Sequence, residues 1–148
     1  MHEIQISRDG SDDQRQSMLS WLRAFNESEN GDFMRSLSAG AEQPIFLAAE
    51  LDDRIVGGLD GVTIHQWLKI DLMAVAPEFR RQGIGRRLVD ESIRIARERD
   101  CRFAYVDTMS YQAPEFYLAQ GFVEAGRLVN WDSHGHDKLF LSMELSAW

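Results

Sequence analysis

Residues 75–92 read VAPEFRRQGIGRRLVDES, and they join two patterns of different period. Before them, WLKIDLMAV (Trp67–Val75) is a mainly apolar run of strand length. After them, Ile84, Leu88, Val89, Ile93 and Ala96 recur at helical spacing, with Arg87, Asp90, Glu91, Arg94 and Glu98 opposite. Asp90 and Arg94 stand at i,i+4, where opposite charges support a helix. The junction sets Arg80, Arg81, Arg86 and Arg87 around Gly83 and Gly85. A helix start leaves backbone N–H groups unpaired and carries the positive end of the helix dipole. Glycine lets an anion approach that backbone without meeting a Cβ. The pattern predicts a nest for phosphate oxygens. It lacks the third glycine of a dinucleotide fingerprint and the Lys-Ser/Thr of a P-loop. A plain tight turn beside a solvated helix face is the alternative reading of the same residues.

Working outward, Cys101–Met109 reads as a strand, giving a strand–helix–strand unit with parallel strands and a right-handed crossover. QAPEFYLAQGF predicts a short helix from near Pro114, stopped by Gly121. FVEAGRLVNW and DKLFLSMELS predict a hairpin closed by DSHGH. Upstream, Pro44–Leu51 and Arg54–Gln66 pair through an Asp-Asp turn, and Gly57 and Gly58 suggest a bulge. Ser11 or Asp12 caps a helix whose stripe of Met18, Leu19, Leu22 and Phe25, with Trp21 beside it, is expected in the core. Residues 29–43, ENGDFMRSLSAGAEQ, read as a loop with one helical turn, and Glu3–Ser7 as a short strand. The expectation is an α/β fold, a mixed and mostly antiparallel sheet with helices on both faces, forming one domain over residues 1–148.

The bulk numbers fit a single globular unit. The chain has 148 residues, 44% of them hydrophobic and 27% charged. That length buries roughly two-thirds of the unfolded surface, so neither a disulfide nor a metal is needed. A single cysteine, Cys101, is compatible with a reducing cytoplasm. No apolar run approaches the roughly 18 residues of a membrane span, and the N-terminus carries no leader pattern. A net charge of −8 argues against nucleic acid as the main partner and favours a cationic small molecule or a basic peptide. The charge is uneven, since eight of the 16 basic residues are arginines between Arg80 and Arg102.

Arg80-x-x-Gly83-x-Gly85, with DLMAVAPEFR before it and APEFYLAQGF after it, resembles the GCN5-related N-acetyltransferase (GNAT) superfamily from about Ile45 to Leu145. The resemblance implies the acyl-CoA N-acyltransferase fold, with acetyl-CoA as cosubstrate. Its pyrophosphate would bind Arg80, Arg81, Gln82, Gly83, Ile84, Gly85 and Arg86. Its pantetheine arm would lie on the backbone of Met73, Ala74 and Val75, in a gap between two splayed strands. Ser110 stands where many members place an asparagine that contacts the arm, and Phe116 is placed both beside the cofactor and in the core. Tyr117 matches the family tyrosine, a proton donor to the departing sulfur. Asp71 matches an acidic residue that binds or deprotonates the amine. Strict alternation puts it on the face of Met73 and Val75, where a carboxylate needs water or a partner such as Lys69. An oxyanion donor is expected at the backbone N–H of Met73 or Ala74.

SYQAPEFYLAQGF and GHDKLFLSMEL are similar to a bacterial subgroup with a Q-A-P-x-F-Y helix, which implies that Gln112 and His136 face the acceptor. Trp67 is a further candidate wall for an amine. The reaction implied is direct acetyl transfer to a primary amine of a small molecule, because Cys101 opens a strand and holds no nucleophile's position. A non-catalytic CoA-binding sensor and a protein lysine or N-terminal acetyltransferase are the alternatives. No metal site is expected, as two histidines in a flexible polar loop are ordinary loop residues. A homodimer is compatible with the apolar last strand.

Overall fold

The computed structural model describes residues 2–145 in two compact units, divided between Ala41 and Glu42. The first contains one helix, α1 (Asp12–Ser38). Ser11 caps it through a capping box in which its hydroxyl accepts from the Gln14 amide and the Gln14 side chain accepts from the Ser11 amide. Three expectations for this unit are corrected. Glu3–Ser7 forms no strand, and Ile4 and Ile6 are exposed, because alternation makes a strand only where a partner ladder exists. The breaker-rich segment is helical to Ser38: Asn30 leaves the helical region (φ −146°, ψ 56°), kinks the helix, and the turns resume. No residue of α1 is buried, so its apolar stripe is not the core that the periodicity predicted. A lone helix in its own unit has no second layer to bury a face against.

The second unit is a six-stranded sheet of β1 (Gln43–Leu51), β2 (Arg54–Ile64), β3 (Trp67–Val75), β4 (Phe103–Met109), β5 (Val123–Leu128) and β6 (Lys138–Glu144). Their spatial order is β1-β2-β3-β4-β6-β5. All neighbours are antiparallel except β3 and β4. Asp52 and Asp53 both take positive φ, 50° and 60°, which is the backbone of a tight two-residue hairpin turn. The helices are α2 (Ile84–Glu98) and α3 (Pro114–Ala119). α2 packs on β1, β2 and β3, burying Leu88, Val89, Ile93 and Ala96 as the periodicity predicts. Each large apolar side chain so buried contributes about 1.5–3 kcal/mol. Tyr117 of α3 joins the same core, whose centre is Leu59, Leu68, Val89, Phe122 and Leu141. Arg94 pairs with Glu91 and Glu98, not with Asp90, which lies beside Arg86 at 3.8 Å. No described helix is long and apolar enough to cross a membrane.

Three register shifts interrupt the sheet, in β2, β3 and β5, the last skipping Ala125. In β2 the register skips Val56, next to Gly57, where the paired glycines suggested a bulge. In β3 it skips Asp71, since Gly61 faces Ile70 and Asp60 faces Leu72. A bulge adds one residue, reverses the side-chain parity beyond it and increases local twist. β3 accordingly pairs with β4 only from Trp67 to Ile70, and the two strands diverge beyond that point.

Candidate active site

The divergence leaves one edge of Asp71–Val75 without a strand partner among the described residues. The carbonyl of Ala74 points to β2, standing 3.1 Å from where a Cβ on Gly57 would be. By backbone alternation, the amides of Met73 and Val75 face the open edge. Of the amides of Met73 and Ala74, that of Met73 faces the open edge.

A cleft of about 750 Å³ opens along this edge, within the range of small-ligand sites. Met73, Ala74 and Val75 form one wall, and Tyr111, Gln112, Ala113 and Phe116 form the other. Its floor is Phe79, Arg80, Arg81, Gly83, Ile84, Gly85 and Arg86. Gly83 caps α2 at φ 80°, and Arg81 also takes positive φ, 62°. The first helical bond of α2 runs from the Arg87 amide to the Gly83 carbonyl at 3.1 Å, so the amides of Ile84, Gly85 and Arg86 have no helical acceptor. A Cβ on Gly83 would meet nothing within 4 Å, so the cradle there is open space. A Cβ on Gly85 would stand 3.3 Å from the Phe116 ring, so that glycine permits close packing between α2 and α3. Arg80 donates from Nε to the Val75 carbonyl at 3.1 Å, tying the loop to the end of β3. Gln82 lies outside the cleft, in a neighbouring hollow with Leu47 and Arg87.

A narrower gap adjoins the cleft and shares Met73, Gln112 and Ala113 with it. Asp71, Asp107, Thr108 and Tyr117 line it. Tyr117 is 5% exposed, packed edge-on to Phe116 and Phe122. Burial pushes its phenol from 10.0 up to about 12. Among the described residues its hydroxyl makes no hydrogen bond. Asp71 does not share the face of Met73 and Val75, because the bulge reverses the parity between them. It forms a 3.0 Å ion pair with Lys69, whose ammonium is raised by that hydrogen bond and charge.

The remaining expected residues are distributed differently. Gln112 accepts the Met109 amide at 2.8 Å on Oε1, closing the turn into α3. Ser110 lies outside the cleft, and its hydroxyl accepts the Asp137 amide at 3.0 Å. Trp67 stacks on Phe103 at the opposite end of β3, away from the cleft. His136 lies in neither cavity but sits edge-on to Tyr111, with ring centroids 4.8 Å apart. The loop carrying it is cross-linked by hydrogen bonds and is no loose polar connection. Tyr111, Thr108, Asp107, Ala113 and Phe79 are wall residues that sequence reasoning missed. Strand divergence puts Asp107 and Thr108 on the gap, and no local pattern announces it.

Comparisons with known proteins agree with this architecture. The model described as the acetyltransferase (GNAT) family matches residues 14–122. Acetyltransferase Atu2258 of Agrobacterium fabrum is 39% identical over 77 residues, 52% of this chain and 56% of the relative. Blasticidin-S acetyltransferase of Streptomyces morookaense is 39% identical over 69 residues, 46% of this chain and 51% of the relative. The matched segment thus spans about half the length of these curated relatives. The crystal structure of an acetyltransferase from Bacillus cereus superposes with a TM-score of 0.74 at 27% identity, covering 95% of this chain and 98% of that one.

Proposed function

We propose that this chain, which belongs to the acetyltransferase (GNAT) family, moves an acetyl group from acetyl-CoA directly to a primary amine of a small molecule, with residues 1–148 acting as one domain. The family match runs across the division at Ala41, which supports the single-domain reading. The observation that carries the activity is the open edge of β3 running into the amide-lined cradle at Gly83. An extended amide-bearing arm fits the edge as an added strand, and a diphosphate fits the cradle.

Bound acetyl-CoA supplies the thioester. The amides of Ile84, Gly85 and Arg86, with the side chains of Arg80, Arg81 and Arg86, hold its diphosphate. Met73 and Val75 offer their amides to the arm, and the Met73 amide serves the carbonyl oxygen where negative charge develops. Tyr117 keeps its proton throughout the neutral range, since burial places its phenol at about 12. It donates to the leaving sulfur. Full transfer to a thiolate of ordinary pKa, about 8.5, is uphill, so the hydrogen bond contributes as the C–S bond stretches. Asp71, on the far side of the gap, anchors the acceptor's ammonium in exchange for Lys69. The likeness to a blasticidin-S acetyltransferase supports a small-molecule acceptor. So does the net charge of −8, which attracts cations.

The test is thiol release from acetyl-CoA by the purified chain with polyamines, aminoglycosides, amino acids and basic peptides, alongside calorimetric titration with acetyl-CoA. Binding together with turnover of a small amine is expected. Binding without turnover of any amine would leave a sensor, and turnover of peptides alone would move the acceptor to proteins.

A further inference from the structure

We propose that His136, oriented by Asp132, is the base that takes the proton from the acceptor's ammonium; this rests on the acetyl-transfer reading above. A hairpin needs only a two-residue turn. The connection between β5 and β6 instead holds a rigid frame around one imidazole. Asp132 accepts the ring Nδ1–H of His136 on Oδ2 at 2.5 Å. Its Oδ1 accepts the amides of His134 at 2.8 Å and His136 at 3.1 Å. Asn130 Oδ1 accepts the Gly135 amide at 2.7 Å, and Asp137 accepts the Asn130 amide at 2.8 Å and the Arg127 guanidinium at 2.9 Å. Asn130 and Ser133 sit at φ 52° and 62°, a left-handed backbone that asparagine tolerates and that costs the serine roughly 1–2 kcal/mol.

The frame is fastened to the cleft. The Ser110 amide donates to the Asp137 carbonyl at 2.8 Å, and the Asp137 amide donates to the Ser110 hydroxyl at 3.0 Å. Ser110 begins the turn that places Tyr111 in the cleft wall, and His136 packs on Tyr111. Ser110, where relatives are expected to reach the cofactor arm, positions the histidine loop instead. With Nδ1–H committed to Asp132, the lone pair of His136 lies on Nε2, and the ring is 44% exposed. A carboxylate behind an imidazole fixes its tautomer and stabilises the imidazolium that forms. The Asp132 carboxyl is held below its usual range: burial works against this, and the His134 amide and the His136 ring and amide outweigh it. Asp132 and Tyr111 touch the ring; around them Asp137 pairs with Arg127 of β5, and Lys138 of β6 pairs with Asp107 and lies over Trp131.

One N–H bond of the ammonium breaks and its proton passes to Nε2. The freed lone pair forms the C–N bond at the thioester carbonyl, and the C–S bond breaks with its electron pair on sulfur. The nitrogen's second proton ends on that sulfur, directly or by restoring Tyr117, and His136 returns its own proton to water.

The experiment compares the wild-type chain with His136→Gln and Asp132→Asn. The acceptors are the fastest of spermidine, kanamycin and lysine ethyl ester, and hydroxylamine, whose nitrogen is mostly unprotonated at neutral pH. Thiol release is followed across pH, and acetyl-CoA affinity by calorimetry. For the alkylamine, His136→Gln is expected to lower kcat/KM at neutral pH about 10²–10³-fold and to leave a rate that climbs with the unprotonated fraction of the amine itself. Hydroxylamine turnover is expected to stay within about threefold and acetyl-CoA affinity within about twofold, with Asp132→Asn intermediate. Equal losses for both acceptors, or an alkylamine profile in His136→Gln that keeps the wild-type shape, would overturn the assignment while leaving acetyl transfer intact. A wild-type chain that binds acetyl-CoA and acetylates none of these acceptors would count against the activity itself.

Discussion

Replacing Tyr117 with phenylalanine tests the buried phenol in two independent ways. Tyr117 lines the gap, its hydroxyl makes no hydrogen bond among the described residues, and burial raises it from 10.0 to about 12. In the unfolded chain the same phenol ionises near 10. Below that pH both states hold the proton and linkage contributes nothing to a pH slope. Above it the unfolded chain gains by losing the proton while the fold must keep it, so stability falls as pH rises towards about 12. Two pKa units correspond to about 2–3 kcal/mol. Urea unfolding at a series of pH values should show wild type losing that much relative to Tyr117→Phe between about pH 9 and about pH 12, the other tyrosines cancelling in the difference. At neutral pH the two should agree within about 1 kcal/mol, because no hydrogen bond is removed. Acetyl transfer should fall about 10²–10³-fold with acetyl-CoA affinity within about twofold. Parallel stability curves across alkaline pH would refute the desolvation argument, and unchanged turnover would remove Tyr117 as donor to the sulfur.

Gly83→Ala should cost about 1–2 kcal/mol from its left-handed backbone alone, since the added methyl meets nothing within 4 Å. Gly83→Glu should in addition abolish acetyl-CoA binding in calorimetry, and retained affinity would mean that this loop is not the phosphate cradle. Asp71→Asn should raise the acceptor's KM more than it lowers kcat, as expected of an anchor for the ammonium; a fall in kcat at constant KM would contradict that role. Leu68→Ala, at a fully buried position of the core, should destabilise by about 2–5 kcal/mol in urea unfolding, and a loss below about 1 kcal/mol would place Leu68 outside the packed centre.

The features legible in the sequence are those with a local cause. Ile84–Glu98 carries its amphipathic stripe in its own residues, and Gly83 and Gly85 mark the cradle because a left-handed cap and a close helix contact each demand glycine. The β1–β2–β3 meander and the β5–β6 hairpin follow from alternation and turn chemistry. The errors have a common origin. Glu3–Ser7 alternates without a partner to pair with, and Met18, Leu19, Leu22 and Phe25 form a stripe with no second layer in their own unit. Residues 29–43 read as a loop with one helical turn, yet the helix runs on to Ser38 with a kink at Asn30.

The sequence by itself determined the order of elements from Pro44 onward, the amide-rich start of α2 and the placement of Tyr117 on a helix beside it, because each depends on neighbours a few residues away. Only the tertiary structure decided that Asp71 is the extra residue of a bulge and turns away from Met73 and Val75. It alone decided that Ser110 fastens the loop of His136 rather than facing the cleft. Parity across a bulge and contact between β4 and the β5–β6 connection are set by strand register, which pairs residues far apart in the chain and leaves no mark in the local pattern.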